Sequence, residues 1–180
     1  MVNLLKRGAI ASVAALLIPA MAHASTQGSV GANSTGSVDI SATVPGRVQI
    51  SGLSDVAFGT VDPTIPASSA QNLCVWSNTS GRGYTITAAG SGPGSAFALS
   101  DGTNSLPYAV EWSASAGQSS GSALAAGAPL SGLSSAATNP SCSSGPAASA
   151  SLIVKMTAAD LQAAVASSYT GTLTLVVAPQ

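Results

Sequence analysis

Cys74 and Cys142 are the two cysteines of the chain, and a thiol can serve as a nucleophile, a metal ligand or half of a disulfide. A nucleophilic thiol needs a base beside it. The single histidine, His23, lies in a segment expected to be removed on export, so the mature chain holds none. Without histidines or further cysteines there is no metal-ligand cluster, and no metal or cofactor is expected. An even cysteine count in an exported chain implies a Cys74–Cys142 disulfide, and a loop that long is worth about 3–4.5 kcal/mol of chain entropy. The carboxylates are scattered: Asp55, Asp62 and Asp101 sit beside turns. Asp62 with Glu111 is the pair left for glycosidase-type chemistry, which depends on a separation that sequence does not show. "GSGPG" at Gly90–Gly94 lacks the lysine and following helix of a phosphate loop and reads as a turn. Asn33-Ser34-Thr35 and Asn78-Thr79-Ser80 match the N-glycosylation pattern, a match that arises by chance in Ser/Thr-rich loops. The expectation is a protein that is not an enzyme.

The first 24 residues set the compartment. Lys6 and Arg7 form a positive n-region, Ala9 to Met21 an apolar h-region, and Ala22-His23-Ala24 an A-x-A cleavage site, together a secretory signal peptide. The apolar run is shorter than the roughly 20 residues of a spanning helix, so the mature chain is expected to begin near Ser25 and to be exported. It then carries Arg47, Arg82 and Lys155 against Asp39, Asp55, Asp62, Asp101, Glu111 and Asp160, three positive against six negative, a net of −3. So sparse and slightly acidic a surface offers nothing for nucleic acid or anionic lipid to bind. A surface of Ser, Thr, Gly and Asn with little charge suits a protein packed against copies of itself.

The elements expected to carry these residues are strands. Period-2 alternation or β-rich runs occur at Val38 to Val44, Arg47 to Ser51, Val56 to Val61, Asn72 to Ser77, Tyr84 to Ala88, Ala96 to Leu99, Tyr108 to Trp112, Ala150 to Met156 and Tyr169 to Val177. Turn signals separate them, and Asp101-Gly102 marks a hairpin. Ser113 to Pro146 reads as long surface loops with one short strand near Leu130. Thr157-Ala158-Ala159-Asp160 outlines a capping box for a short helix from about Ala158 to Ala166. Strands at this spacing predict an all-β, immunoglobulin-like sandwich with one short helix, organised as a signal peptide (1–24), a flexible leader (25–44) and a β-sandwich domain (45–180).

Two segments are complementary. In "YTGTLTLVVA" the side chains of Leu173, Leu175 and Val177 share one face, and no later strand is expected to cover that edge, which invites pairing. In "SVDISATVP" Val38, Ile40, Ala42 and Val44 form an apolar row opposite Asp39, Ser41 and Thr43, behind a Gly/Ser/Asn-rich leader. If the row of one copy fills the edge of the next, the contact is head-to-tail and produces a fibre.

The chain resembles the spore coat protein U-like subunits of chaperone–usher pili. The resemblance rests on "VDISATVPGRVQISG", "VAFGTVDP", "NLCVWSNTSGRGYTITAAG", "LPYAVEW" and "SYTGTLTLVV", in that order. It implies an incomplete sandwich lacking its final strand, a periplasmic chaperone that lends one, an outer-membrane usher, and a donor strand supplied by the next subunit of a homo- or hetero-polymer. It further implies a donor formed by Val38, Ile40, Ala42 and Val44, a groove lined partly by Leu173, Leu175 and Val177, and passage through the periplasm to a cell-surface fimbria serving adhesion or biofilm formation. One departure stands out: many relatives have a cysteine where Arg47 or Val48 stands here. Two alternatives remain open at this stage. The domain could be self-complete, with Val38 to Val44 pairing in its own chain. It could also be a binding module, with Trp76, Trp112, Tyr84 and Tyr108 lining a contact, although aromatics on strands are more often core residues.

Overall fold

The computed structural model describes residues 25–180; the expected signal segment lies outside them. The chain divides into two units, Met1–Val44 and Pro45–Gln180. In the first unit, Thr26 and Ser37 form an antiparallel bridge, exchanging two backbone hydrogen bonds of 2.9 Å. Residues 38–47 form no strand, which corrects the expectation of a strand at Val38 to Val44 within the chain itself. Alternation supplies an apolar row, but a strand also needs a neighbouring strand to form a ladder with.

The second unit is an all-β, immunoglobulin-like sandwich with one short helix. Its strands are β1 (Val48–Ser51), β2 (Ala67–Ser77), β3 (Gly83–Gly90), β4 (Ala98–Ser100), β5 (Ser105–Pro107), β6 (Ala109–Ser113), β7 (Ser122–Ala123), β8 (Pro129–Ser134), β9 (Ala150–Met156) and β10 (Leu173–Pro179). One sheet has the order β1-β2-β9-β6-β7, the other β10-β3-β8, and β4 and β5 form a separate hairpin. Every pairing within these sheets is antiparallel.

Alternate residues of both sheets meet in one core. Leu73 and Val75 of β2, Val110 and Trp112 of β6, and Leu152, Val154 and Met156 of β9 face Tyr84, Ile86 and Ala88 of β3. The indole Nε1–H of Trp112 donates to the Tyr84 hydroxyl at 3.0 Å, a buried bolt between the sheets. It gives both amphipathic rings the partner that burial demands. Three of the four aromatics considered for a contact surface, Tyr84, Tyr108 and Trp112, are therefore core. The fourth, Trp76, packs against the cluster formed by Cys74, Cys142 and Ala137.

The disulfide joins Cys74 to Cys142 with a Cα–Cα distance of 5.9 Å. Beside it, serine hydroxyls stand in for a strand. Ser149 Oγ accepts from Val75 N–H at 2.9 Å and donates to Val75 C=O at 2.8 Å, and Ser135 Oγ donates to the same carbonyl. These buried hydroxyls keep β2 hydrogen-bonded past the point where β9 ends.

Helix α1 (Ala158–Ala163) has Thr157 as its N-cap, whose hydroxyl accepts from Asp160 N–H at 3.1 Å, and it buries Leu161. It stops before the expected Ala166. Val56 to Val61, expected as a strand, has none. Val56, Phe58 and Val61 pack against the core through their side chains while the backbone joins no ladder, and Gly59 (φ +64°) breaks the extended run.

Candidate functional site: the groove beside β10

The two flanks of the sandwich differ. On one, the chain from β7 to β8 crosses from sheet to sheet. Leu124 N–H donates to Val110 C=O of β6, and Gly127 N–H then donates to Ala88 C=O of β3, each at 2.8 Å. On the opposite flank the terminal strands are β1 and β10, and no strand among the described residues lies between them.

β10 is hydrogen-bonded to β3 along one edge only, from Leu173↔Gly90 to Pro179↔Tyr84. Leu173, Leu175 and Val177 are half-buried toward the core, whereas Thr174, Val176 and Ala178 are exposed, as strand alternation requires. Its free edge thus offers a row of backbone donors and acceptors above a partly covered apolar face.

A groove of about 340 Å³ opens beside this edge. Leu173 and Leu175 form one wall and Leu53, Val56 and Phe58 the other, with Leu152, Val154 and Met156 of β9 beneath. Val177 lies farther along β10 and does not line it. The second wall is held by Gln71, whose side chain accepts from Ser54 N–H at 2.8 Å and donates to Ser54 C=O at 3.0 Å. Inward-facing on β2, Gln71 takes the place of a backbone ladder for a segment that has none.

The β4–β5 hairpin fixes where β10 starts. Asp101 Oδ1 accepts from the N–H groups of Thr103 and Asn104 at 2.9 and 2.6 Å, and its other oxygen accepts from the Asn104 amide at 2.9 Å. Those bonds hold the Asp101 carboxyl well below the usual carboxylate range, the Asn104 side chain contributing most. Ser100 and Thr170 then exchange backbone hydrogen bonds of 2.8 and 3.0 Å just ahead of β10. Leu99 and Tyr108, carried by this region, close the groove end, where Tyr108 stacks on Phe97 with ring centroids 5.8 Å apart.

In the other unit, Val38, Ile40 and Val44 are 68%, 90% and 80% exposed, and Ala42 is exposed as well. An apolar row so open to water and without a ladder is unusual for residues of these types. The sequence reading missed the wall residues Leu53, Val56 and Phe58 and the Gln71 clamp. The alternation of Val56 and Phe58 was the available signal, read there as a strand.

The two carboxylates left for glycosidase-type chemistry are both engaged in local contacts. Asp62 accepts from the N–H and hydroxyl of Thr64 in a turn, at 2.8 and 2.7 Å, which lowers its pKa. Glu111 is held by the Lys155 ammonium, 2.8 Å from each oxygen, and by Gly121 N–H. Lys155 is thus an ion-pair partner. Among the described residues there is no group of three or more potential metal-ligating side chains, and no helix long and apolar enough to cross a membrane.

Compared with known proteins, the chain matches no protein family and no curated protein. Among solved structures it is similar to a chain of the chaperone–tip adhesion subunit pre-assembly complex CsuC–CsuE, from archaic chaperone-usher Csu pili of Acinetobacter baumannii. The identity is 20% and the TM-score 0.43, over 75% of this chain and 40% of the other. This chain therefore spans well under half the length of that one.

Proposed function

We propose that the protein is a structural subunit of a bacterial surface fibre, exported to the periplasm and assembled by donor-strand exchange along a chaperone–usher route. Val38, Ile40, Ala42 and Val44 of one copy fill the groove beside Leu173 and Leu175 of the next and pair along β10 past Val177. The observation that carries this reading is the pairing of two incomplete features in one chain. An apolar row in the leader is exposed and unladdered, and a strand edge stands beside an open apolar groove. The order of motifs shared with the spore coat protein U-like subunits supports the same assignment. On this reading the partners are further subunits, a periplasmic chaperone and an outer-membrane usher, and the fibre serves adhesion or biofilm formation.

The driving force is that of β-addition. Each new backbone hydrogen bond contributes about 0.5–1.5 kcal/mol, and each large apolar side chain brought out of water about 1.5–3 kcal/mol. Ordering of the leader offsets part of this. Because row and groove are two different surfaces of the same chain, the contact propagates instead of closing.

Size-exclusion chromatography with light scattering tests the proposal on three proteins: residues 25–180, residues 45–180, and residues 45–180 with a copy of Ser37 to Val44 joined by a flexible linker after Gln180. The expected outcome is polymers from the first, an unstable or aggregating second, and a stable monomer from the third. A first protein that stays monomeric, with no gain of stability in the third over the second, would sink the reading.

A further inference from the structure

The charged side chains of residues 45–180 are sorted by end. Where the chain enters the sandwich, Arg47 lies one residue ahead of β1 and Arg82 closes the turn between β2 and β3, and both are exposed. Asn78 links the two segments. Its side-chain oxygen accepts from Arg47 N–H at 2.6 Å, and it leads into the turn in which Arg82 N–H donates to Thr79 C=O at 2.9 Å. β10 finishes at this end as well, since a Cβ placed on Gly46 would lie 3.4 Å from Pro179 Cβ.

The opposite end is acidic. Asp62 lies just ahead of β2 and Asp160 just after β9, and those strand ends are paired at Ala67↔Met156. Asp101 turns the β4–β5 hairpin, whose Ser100 bridges Thr170 ahead of β10. Asp55 stands at the groove with Gly171 and Thr172. Lys155 and Glu111, the two charged side chains left over, neutralise each other at 2.8 Å. β2 alone, at 11 residues, separates the ends by roughly 35 Å, several times the Debye length of about 8 Å at physiological salt. Within one subunit the two sets of charges therefore cannot neutralise each other.

Both ends also carry apolar surface. At the acidic end Ile65 and Val165 are exposed, and Pro66, Ala67, Met156 and Ala158 line a shallow groove. At the arginine end Pro45 and Pro179 are exposed. An apolar centre with a polar rim is the usual anatomy of a protein interface.

We infer that the acidic end of one copy, with Ile65 and Val165 at its centre, receives the Arg47 and Arg82 end of a second copy, and that this attraction steers subunits together head to tail. The inference rests on the donor-strand reading above and adds to it a contact made by charge outside the groove. Chain length links the two contacts. Arg47 follows Val44 by three residues, so it lies within about 10 Å of the end of the apolar row. With that row antiparallel to β10, Val44 stands at the start of β10 and Arg47 reaches the acidic end. The parallel direction would set Arg47 against the neighbour's own arginines, and like charges brought together are costly.

The test follows polymer growth of residues 25–180 by light scattering in about 20 mM and about 500 mM sodium chloride, where the Debye length falls from roughly 20 Å to roughly 4 Å. The rate is expected to fall about tenfold with added salt. Arg47→Glu with Arg82→Glu should slow growth about tenfold at low salt and reverse the salt response, whereas Arg47→Lys with Arg82→Lys should match the parent. Adding Asp62→Lys and Asp160→Lys to the glutamate pair should recover most of the loss. As a separate readout, anisotropy measures capture of a fluorescein-labelled peptide of residues 37–44, which carries the row without the arginines, by protein whose own row is blunted by Val38→Ser and Ile40→Ser. Asp62→Lys with Asp160→Lys should leave that capture unchanged. Growth that ignores both salt and the glutamate pair, with the peptide captured, would overturn the contact between ends, leaving the donor-strand reading standing. Slowing by the glutamate pair that the added lysines fail to relieve would show that the arginines meet something other than the acidic end, and would overturn it too. Neither growth nor capture would overturn the donor-strand reading, and this contact with it. The salt response of the parent needs no variant, which keeps the test decisive if near-ultraviolet circular dichroism shows that one has failed to fold.

Discussion

The β7–β8 flank and the β1–β10 flank are built from similar strands and end differently. On the first, residues 124–128 carry the chain across the sandwich and hand hydrogen bonds to both sheets. On the second, no strand among the described residues lies between β1 and β10, and an apolar groove stands open between the start of β10 and residues 53–58. The difference separates what holds the fold from what is left open to pair. The closed side and the core beneath it hold the subunit together, while the open side keeps unspent pairing capacity. A substitution on either side should therefore affect a different measurement.

The largest expected effect tests that separation directly. Trp112→Ala removes a fully buried ring and orphans the Tyr84 hydroxyl, and should cost about 3–5 kcal/mol in chemical denaturation. Leu175→Ala, at a half-buried groove position, should cost the isolated subunit about 1 kcal/mol yet suppress polymer formation by light scattering. If Leu175→Ala destabilised the monomer as much as Trp112→Ala, the groove would be core and the contrast between flanks would fail.

Next comes the disulfide. Replacing Cys74 and Cys142 together by alanine should lower stability by about 2–4 kcal/mol, read as a shift in denaturation midpoint with the slope preserved. The bond secures the loop whose Ser135 and Ser149 hydroxyls bond to Val75, on the side of β2 away from β1 and its groove. Peptide capture at the groove should persist in folded protein. Loss of capture at a temperature where the variant is still folded would show that the two regions are coupled.

Which parts were legible in the sequence follows from the range of the interactions involved. Ala150 to Met156 was read with the bounds it has as β9, because alternation over seven residues and a following N-cap are local signals. The Asp101-Gly102 hairpin was likewise local, fixed by an aspartate that bonds to the next turn residues. β7 was not read at all, and β8 only as one short strand near Leu130. Leu130 and Leu133 both pack on the core although three residues apart, because a bulge with Gly132 at φ +73° breaks the register between Tyr84 and Ile86. Val56 to Val61 failed in the opposite way. Its side chains pack on the core, but no neighbouring strand receives its backbone, and the nearest anchor is the Gln71 side chain on the backbone of Ser54, just ahead of it. β10 was legible as a pattern, while the wall opposite it depends on contacts between distant segments that no local period encodes.

The smallest effect concerns the outer face of the closed sheet, where Lys155 and Glu111 pair across β9 and β6 above the fully buried Ile153. The pair is partly open to water, with side chains 32% and 21% exposed, so Lys155→Met should cost no more than about 1 kcal/mol at neutral pH. Its signature should lie in the pH dependence. The Lys155 hydrogen bonds, with Gly121 N–H, hold the Glu111 carboxyl below its ordinary range, so the folded state binds that proton less readily than the unfolded chain. The contribution is therefore complete above the unfolded value of about 4.3 and is lost as pH falls through the lower folded value. Asp62 and Asp101, lowered by turn hydrogen bonds, add losses of the same sign in both proteins. Denaturation midpoints measured from pH 6 downward should thus fall for parent and variant alike, and the gap between them should narrow as acid protonates Glu111. A gap that stayed constant to the lowest pH would mean that the lysine acts through the packing of its methylene stem over Ile153, and that charge contributes nothing to closing this face.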